Sequence, residues 1–262
     1  MAKKAIAKTT PQNEQMPAFM QGQDTGTETL GQYVVPPRIK VVQKQSGEQF
    51  EEYPAGTVLL MPQKVILAGP GEPFHFVPLF FFPEWCVWNP LQISSLPMIR
   101  ERTLDPTHEM VERCRDPERW EMPCPEDAKY MLRYVEHLNF VIMPVGNPEV
   151  EDTMVNLSFS KSNHKSGTTL AGLIKMRRAP ICGCQFEART VQRSNASGSW
   201  WGIEVGQPST ESEVTPFVED QQRFELYQEL HGELKEHHAQ TVLRVDYTDD
   251  TIEPQDDEPT EY

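Results

Sequence analysis

The chain contains no stretch approaching the roughly 18 consecutive apolar residues of a membrane-spanning helix. Lysines stand near its start, but no apolar segment follows them as a secretory signal requires, so a reducing, cytoplasmic setting is expected. Cysteine is scarce and odd in number, five in 262 residues, and no Cys-x2-Cys pair occurs. In a chain this long, that pattern suits free thiols or metal ligands rather than a disulfide framework. A Gly-rich phosphate loop, a His-Glu-x-x-His helix and a Ser or Cys nucleophile elbow are also missing, so no enzymatic activity is expected. Carboxylates are abundant, which leaves a two-metal nuclease open as a minor alternative. Basic residues are outnumbered 24 to 39, for a net charge of −15. Apolar content is modest at 38%, and 23 prolines point to long loops and polar ends around one large domain.

One segment runs against the acidic balance. From Asn156 to Gly206 there are seven basic residues, Lys161, Lys165, Lys175, Arg177, Arg178, Arg189 and Arg193, against only Glu187 and Glu204. Gln185 to Arg193 alternates with a period of two, placing Phe186, Ala188 and Thr190 on one side and Glu187, Arg189, Val191 and Arg193 on the other. Ser199 to Gly206 alternates likewise, with Trp201, Ile203 and Val205 toward a core and Trp200 on the opposite side, beside the arginines. Cations interleaved with an aromatic ring suit a nucleic-acid strand, whose phosphates are held by charge and whose bases stack. An ordinary packing tryptophan beside a solvated face is the competing reading.

Further strands are expected over Tyr33 to Gln43, where Arg38 and Lys40 alternate with Ile39 and Val41, and over Thr57–Leu60, Val65–Leu67, Phe74–Phe82, Arg133–Val145 and Thr153–Lys161. In FHFVPLFFFPEWCVW most rings belong in a β core. Phe80, Phe81 and Phe82 are adjacent and cannot share a side, so at least one is expected outward, and Phe81 and Trp88 are candidate stacking rings. Thr168 is expected to cap a short helix bearing Leu170, Leu173 and Ile174, ended by Pro180. The order of three strands, a short helix and two strands is that of a small Greek-key barrel of the OB type. Residues 100–128 break the strand pattern and carry His108, Cys114 and Cys124. These could hold a structural zinc with Cys86, Cys182 or Cys184 as fourth ligand, the alternative being buried core thiols.

Residues 1–27 read as a disordered arm, in which Lys3, Lys4 and Lys8 serve solubility or touch phosphate. After the domain at 28–206, residues 207–240 read as a linker and an amphipathic helix. Thr215 and Pro216 begin that helix, and Phe217, Phe224, Tyr227, Leu230 and Leu234 form a stripe that docks on the domain or on another copy. His231, His237 and His238 are expected to face solvent. Residues 241–262 form an acidic disordered tail: the last eighteen residues hold eight acids and no base, leaving only −7 on the other 244.

The segments PPRIKVVQ, the aromatic run followed by the Cys/His-bearing insertion, LSFSKSNHKSGTTLAGLI and FEARTVQRSNASGSWWGIEV together resemble bacteriophage single-stranded DNA-binding proteins. The resemblance covers about Tyr33 to Gly206. It implies a mainly β, OB-like barrel that coats single strands during replication or recombination in the cytoplasm of the infected host cell. On such a binder the acidic tail is expected to compete for the basic groove and, when displaced by DNA, to recruit replication or recombination proteins. Arg38, Lys40, the seven cations above, Trp200, Phe81 and Trp88 are the candidate contacts. A phage structural or assembly protein using the same β surface for protein contacts is the alternative from another class.

Overall fold

The computed structural model describes residues 36–150, 153–196, 198–210, 214–240 and 245–247. The expected N-terminal arm and most of the acidic tail lie outside these residues.

Two long strands form the centre. The strand β4 (Pro73–Trp88) pairs antiparallel with β7 (Met131–Val145) over most of its length. Residues 76–83 of β4 and residues 140–145 of β7 are unbroken apolar runs, because both of their faces are covered there. Phe74 and Phe76 of β4 and Leu138, Phe140 and Ile142 of β7 enter one core, while Val77, Leu79, Phe82, Val141 and Met143 enter a second core on the opposite face. A register shift between Pro78 and Phe80 changes which residues of β4 face each side, so that even-numbered positions from Phe80 onward look toward the second face. This corrects the expectation of an outward ring. Phe81 packs 4.8 Å from Phe140 against the first core, and Phe80 and Phe82 belong to the second.

The other strands are β1 (Arg38–Val41), β2 (Val58–Met61), β3 (Val65–Ala68), β5 (Ile99–Thr103), β6 (Glu121–Pro123), β8 (Val155–Phe159), β9 (Phe186–Asn195) and β10 (Gly198–Gly206). They join in the order β10-β9-β4-β7-β8-β1-β2-β3, with β5 on the far half of β4 and β6 on the start of β7. Pairing is antiparallel except between β1 and β8. The fold is mainly β, with one mixed sheet and few helices. Its backbone ladder does not close into a barrel among the described residues.

The sheet nonetheless curls until its ends meet through side chains. Thr190 of β9 donates to the carbonyl of Gly56, just before β2, and accepts from the Gly71 N–H ahead of β4. On the outer edge of β10, Trp201 is bonded by the amide of Gln43, while the Ile203 N–H and C=O are bonded by Asn163 and Ser166. An edge so covered offers no template for another strand.

Asn163 and Ser166 come from the start of α2 (His164–Arg177), which begins one turn earlier than the Thr168 cap expected. Gly167 makes that approach feasible, since a Cβ there would stand 2.8 Å from Phe159. Leu170 then enters the first core. The expected break in the strand pattern after Arg100 holds β5, α1 (Met110–Arg115) and β6, which cover Trp85 and Val87. The C-terminal helix α3 (Gln221–Ala239) starts under an Asp220 cap rather than at Thr215–Pro216, and Phe217 precedes it. Its Tyr227 and Leu234 are buried on the second face of the sheet. Two histidines expected in solvent are instead ring contacts of that docking. His231 and His238 lie 5.9 and 5.5 Å from Phe80, and His231 also bonds the Leu79 carbonyl.

Candidate functional site

Beside the part covered by α3, the second face turns from apolar to polar. Register places Glu84 opposite His137, Asn139 opposite Ser158 and Arg38 opposite Asn156. Side chains of β4, β7, β8 and β1 thus form a buried polar array across the sheet. Arg102 of β5 closes one side, its Nε 3.1 Å from Glu84 Oε1. The amide of Asn156 donates to Asn139, and Ser158 lies 3.4 Å from His137 Nδ1.

A short piece of the C-terminal region sits on this array. Val245 and Tyr247 are both buried, and Arg102 bonds the Val245 carbonyl. The Tyr247 hydroxyl donates to Glu84 Oε2 at 2.8 Å and receives a longer bond from Asn139 at 3.3 Å. Its ring lies 4.5 Å from His137 and meets Trp88 edge-on at 5.6 Å, with the Arg102 guanidinium 5.6 Å from the ring centre.

Charge around this seat is predominantly positive. Burial pushes the His137 imidazole down to about 3, and the charges of Lys161, Arg102 and Arg38 reinforce the shift, so the ring is neutral at physiological pH. Burial, joined by the charge of Glu84, raises the Tyr247 phenol well above its usual range. The Nε1 of Trp88 and the Nε2 of His137 are buried and have no hydrogen-bond partner among the described residues.

The structure therefore gathers Arg38, Lys161 and Trp88 of the expected set around one seat. Lys40 is buried on the same strand as Arg38, 4.7 Å from the Phe50 ring. Alternation in β9 and β10 is as expected, with Arg193 opposite Trp200, but Arg193 works as a clamp. Its guanidinium bonds the Ser162 and Ile203 carbonyls and ties the start of α2 to β10. Trp200 is half-buried. Arg189 is exposed, 4.0 Å from Glu204. Arg177 is spent on packing, bonded to the Pro216 carbonyl and lying over Phe186 and Phe217. Lys165 is exposed in the first turn of α2, whereas Lys175 and Arg178 are exposed at its far end, ~15 Å along the axis. Phe81 is a core ring.

Sequence reading missed Glu84, Arg102, His137, Asn139 and Tyr247. The signal was present: Glu84 in FFFPEWCVW, His137 and Asn139 in VEHLNFVIM, and Asn156 and Ser158 in VNLSF interrupt apolar runs at alternate positions. Burial of a polar residue in a strand requires partners, so such residues tend to collect on one face.

The zinc expectation finds no support in the geometry. No group of three or more His, Cys, Asp or Glu suited to a metal stands together among the described residues. His108 lies against Glu101 at 3.5 Å, and Cys124 donates to Glu126. All five cysteines are free and buried. Burial pushes the Cys86, Cys114, Cys182 and Cys184 thiols up, that of Cys114 to about 11.

A family model described as Pam3 phage gp34-like protein matches residues 7–240. The chain belongs to this Pam3 phage gp34-like family. No curated protein and no solved structure matches it. The matched residues end before Val245 and Tyr247.

Proposed function

We propose that this phage protein binds single-stranded DNA and coats it during replication or recombination in the cytoplasm of the infected host cell, without catalysing a reaction. The observation that carries the reading is the polar array on the second face, where Arg38, Lys161 and Arg102 surround Trp88 and His137. Cations beside aromatic rings are what a single strand needs, charge for phosphates and π faces for bases.

Topology supports the same reading. The strands β4, β7, β8, β9 and β10 lie in the order β10-β9-β4-β7-β8, with α2 between β8 and β9. A five-stranded Greek key of the OB type has that order and that helix position, and its second and third strands carry the oligonucleotide. Those strands correspond to β7 and β8, which supply His137, Asn139, Asn156 and Ser158. The chain's own acidic segment begins on this face, which fits a tail that competes with DNA and passes to replication or recombination proteins when DNA binds.

Titration of intrinsic tryptophan fluorescence with homopolymer single strands at two salt concentrations tests the proposal. Binding should weaken steeply with salt through counterion release. Absence of binding at low salt would overturn it and favour the structural or assembly reading.

A further inference from the structure

The seat of Tyr247 has features that a tyrosine does not use. Glu84 and His137, only 1% and 4% exposed, stand in the second face, where the phenol satisfies Glu84 but leaves His137 Nε2 and Trp88 Nε1 without partners among the described residues. Buried polar groups are nearly always bonded, so the two ring nitrogens on the residues that wall Tyr247 are polar capacity its side chain leaves unused. At the seat's end, a carboxylate and a primary amide stand side by side, Glu84 and Asn139, both in reach of the Tyr247 hydroxyl. A neutral imidazole and an indole supply its aromatic walls.

We infer that this seat takes a nucleobase of the bound strand, guanine by preference, and that Tyr247 occupies it when no strand is present. The inference rests on the single-strand reading above and specifies one subsite within it. Glu84, set against Arg102 and accepting from its present occupant, favours a base edge carrying N–H donors. Guanine offers two adjacent donors, N1–H and N2–H, with O6 beside them to accept from the Asn139 amide. Thymine offers one ring N–H between two carbonyls, and cytosine and adenine present no ring N–H at that edge at neutral pH. Stacking on His137 would serve any base, so the edge sets the preference and the ring sets the affinity. The attached sugar and phosphate bring acceptors that a tyrosine side chain lacks, which suits the orphaned nitrogens and the neighbouring Arg102.

The test uses the full chain with Tyr247 intact, with Tyr247→Ala and with Tyr247→Phe, titrated with a thymine homopolymer carrying a single central guanine, adenine or cytosine. Opening the seat in Tyr247→Ala should tighten binding about tenfold, the scale of one stacked base, and should make the guanine-bearing strand the tightest of the three. Tyr247→Phe keeps the packed ring while removing only the hydroxyl bond to Glu84 Oε2, and it should give a smaller gain with the same order of bases, so the result does not depend on how well the alanine variant folds. Equal affinity of all three proteins for every strand overturns the inference while single-strand binding stands. Tightening without a guanine preference overturns the edge assignment. Failure of all three proteins to bind any strand overturns the functional reading itself and this subsite with it.

Discussion

The side-chain amide of Gln43 bonds both backbone groups of Trp201, accepting from its N–H at 2.8 Å and donating to its carbonyl at 2.9 Å. A glutamine that follows β1 thus does for the edge of β10 what a neighbouring strand would do. The ends of the sheet are joined there by one side chain rather than by a ladder. Gln43→Ala removes both partners and should cost about 1–3 kcal/mol, read as a lower denaturation midpoint at unchanged slope. Gln43→Glu keeps the acceptor but sets a carboxylate against the Trp201 carbonyl, and should be no better. An alanine variant as stable as the parent would show that this junction contributes nothing.

The same junction depends on Gly56. Its φ is 95°, in the left-handed region, and a Cβ there would stand 2.7 Å from the Trp201 ring. Gly56→Ala therefore combines backbone strain with a clash against a large ring, and should destabilise by about 1–3 kcal/mol. Gly172 is the control, being exposed within α2 with open space around its Cα. Gly172→Ala should stabilise by about 0.5–1 kcal/mol through helix propensity. Thermal unfolding of the two variants should move in opposite directions.

Most of the sheet was legible in the sequence, because β4, β7, β9 and β10 announce themselves by apolar runs or by alternation such as Phe186, Ala188 and Thr190 against Arg189 and Val191. Helix starts were less so: Asn163 and Asp220, both stronger capping types than threonine, precede the helices, while Thr168 lies inside α2 and Thr215 ahead of α3. The candidate site was half legible. Charge pointed to Arg38 and Lys161 but equally to Arg177 and Arg193, and only tertiary contacts reveal that those two guanidinia are structural clamps. Nothing local could bring Tyr247 to Glu84, separated by 163 positions.

Acid should expose the neutral burial of His137. Its folded value of about 3 lies below the ordinary 6.5, so the unfolded chain takes up a proton first as pH falls. The contribution is fully present above the ordinary value and is lost progressively down to the folded one, up to about 1.4 kcal/mol per pH unit. His137→Gln should flatten the decline of stability between pH 6.5 and 3 relative to the parent. Carboxylates such as Glu126, held down to about 2 by its bonds from Arg100 and Cys124, decline in both proteins and cancel in the difference. Parallel pH profiles for the two proteins would mean that His137 binds its proton equally in both states.

Lys161 and the acidic tail should both act on single-strand binding through charge, with opposite signs. Lys161 is exposed and adds to the positive field at His137, so Lys161→Ala should weaken binding similarly for all sequences and lower the salt slope by about 1. Ending the chain after Tyr247 removes seven of the eight acids in the last eighteen residues while keeping the docked tyrosine. If those acids compete for the cations, the shortened chain should bind faster and tighter than the parent, most visibly at low salt. The screening length falls from about 30 Å at 0.01 M to about 10 Å at 0.1 M, so the advantage should shrink between those conditions. A tail that serves only solubility predicts aggregation of the shortened chain and no change in affinity. Ending the chain after Gln240 instead removes the tyrosine as well, and its additional gain over the first truncation should persist at 0.1 M, because an occupied ring seat is not screened by salt.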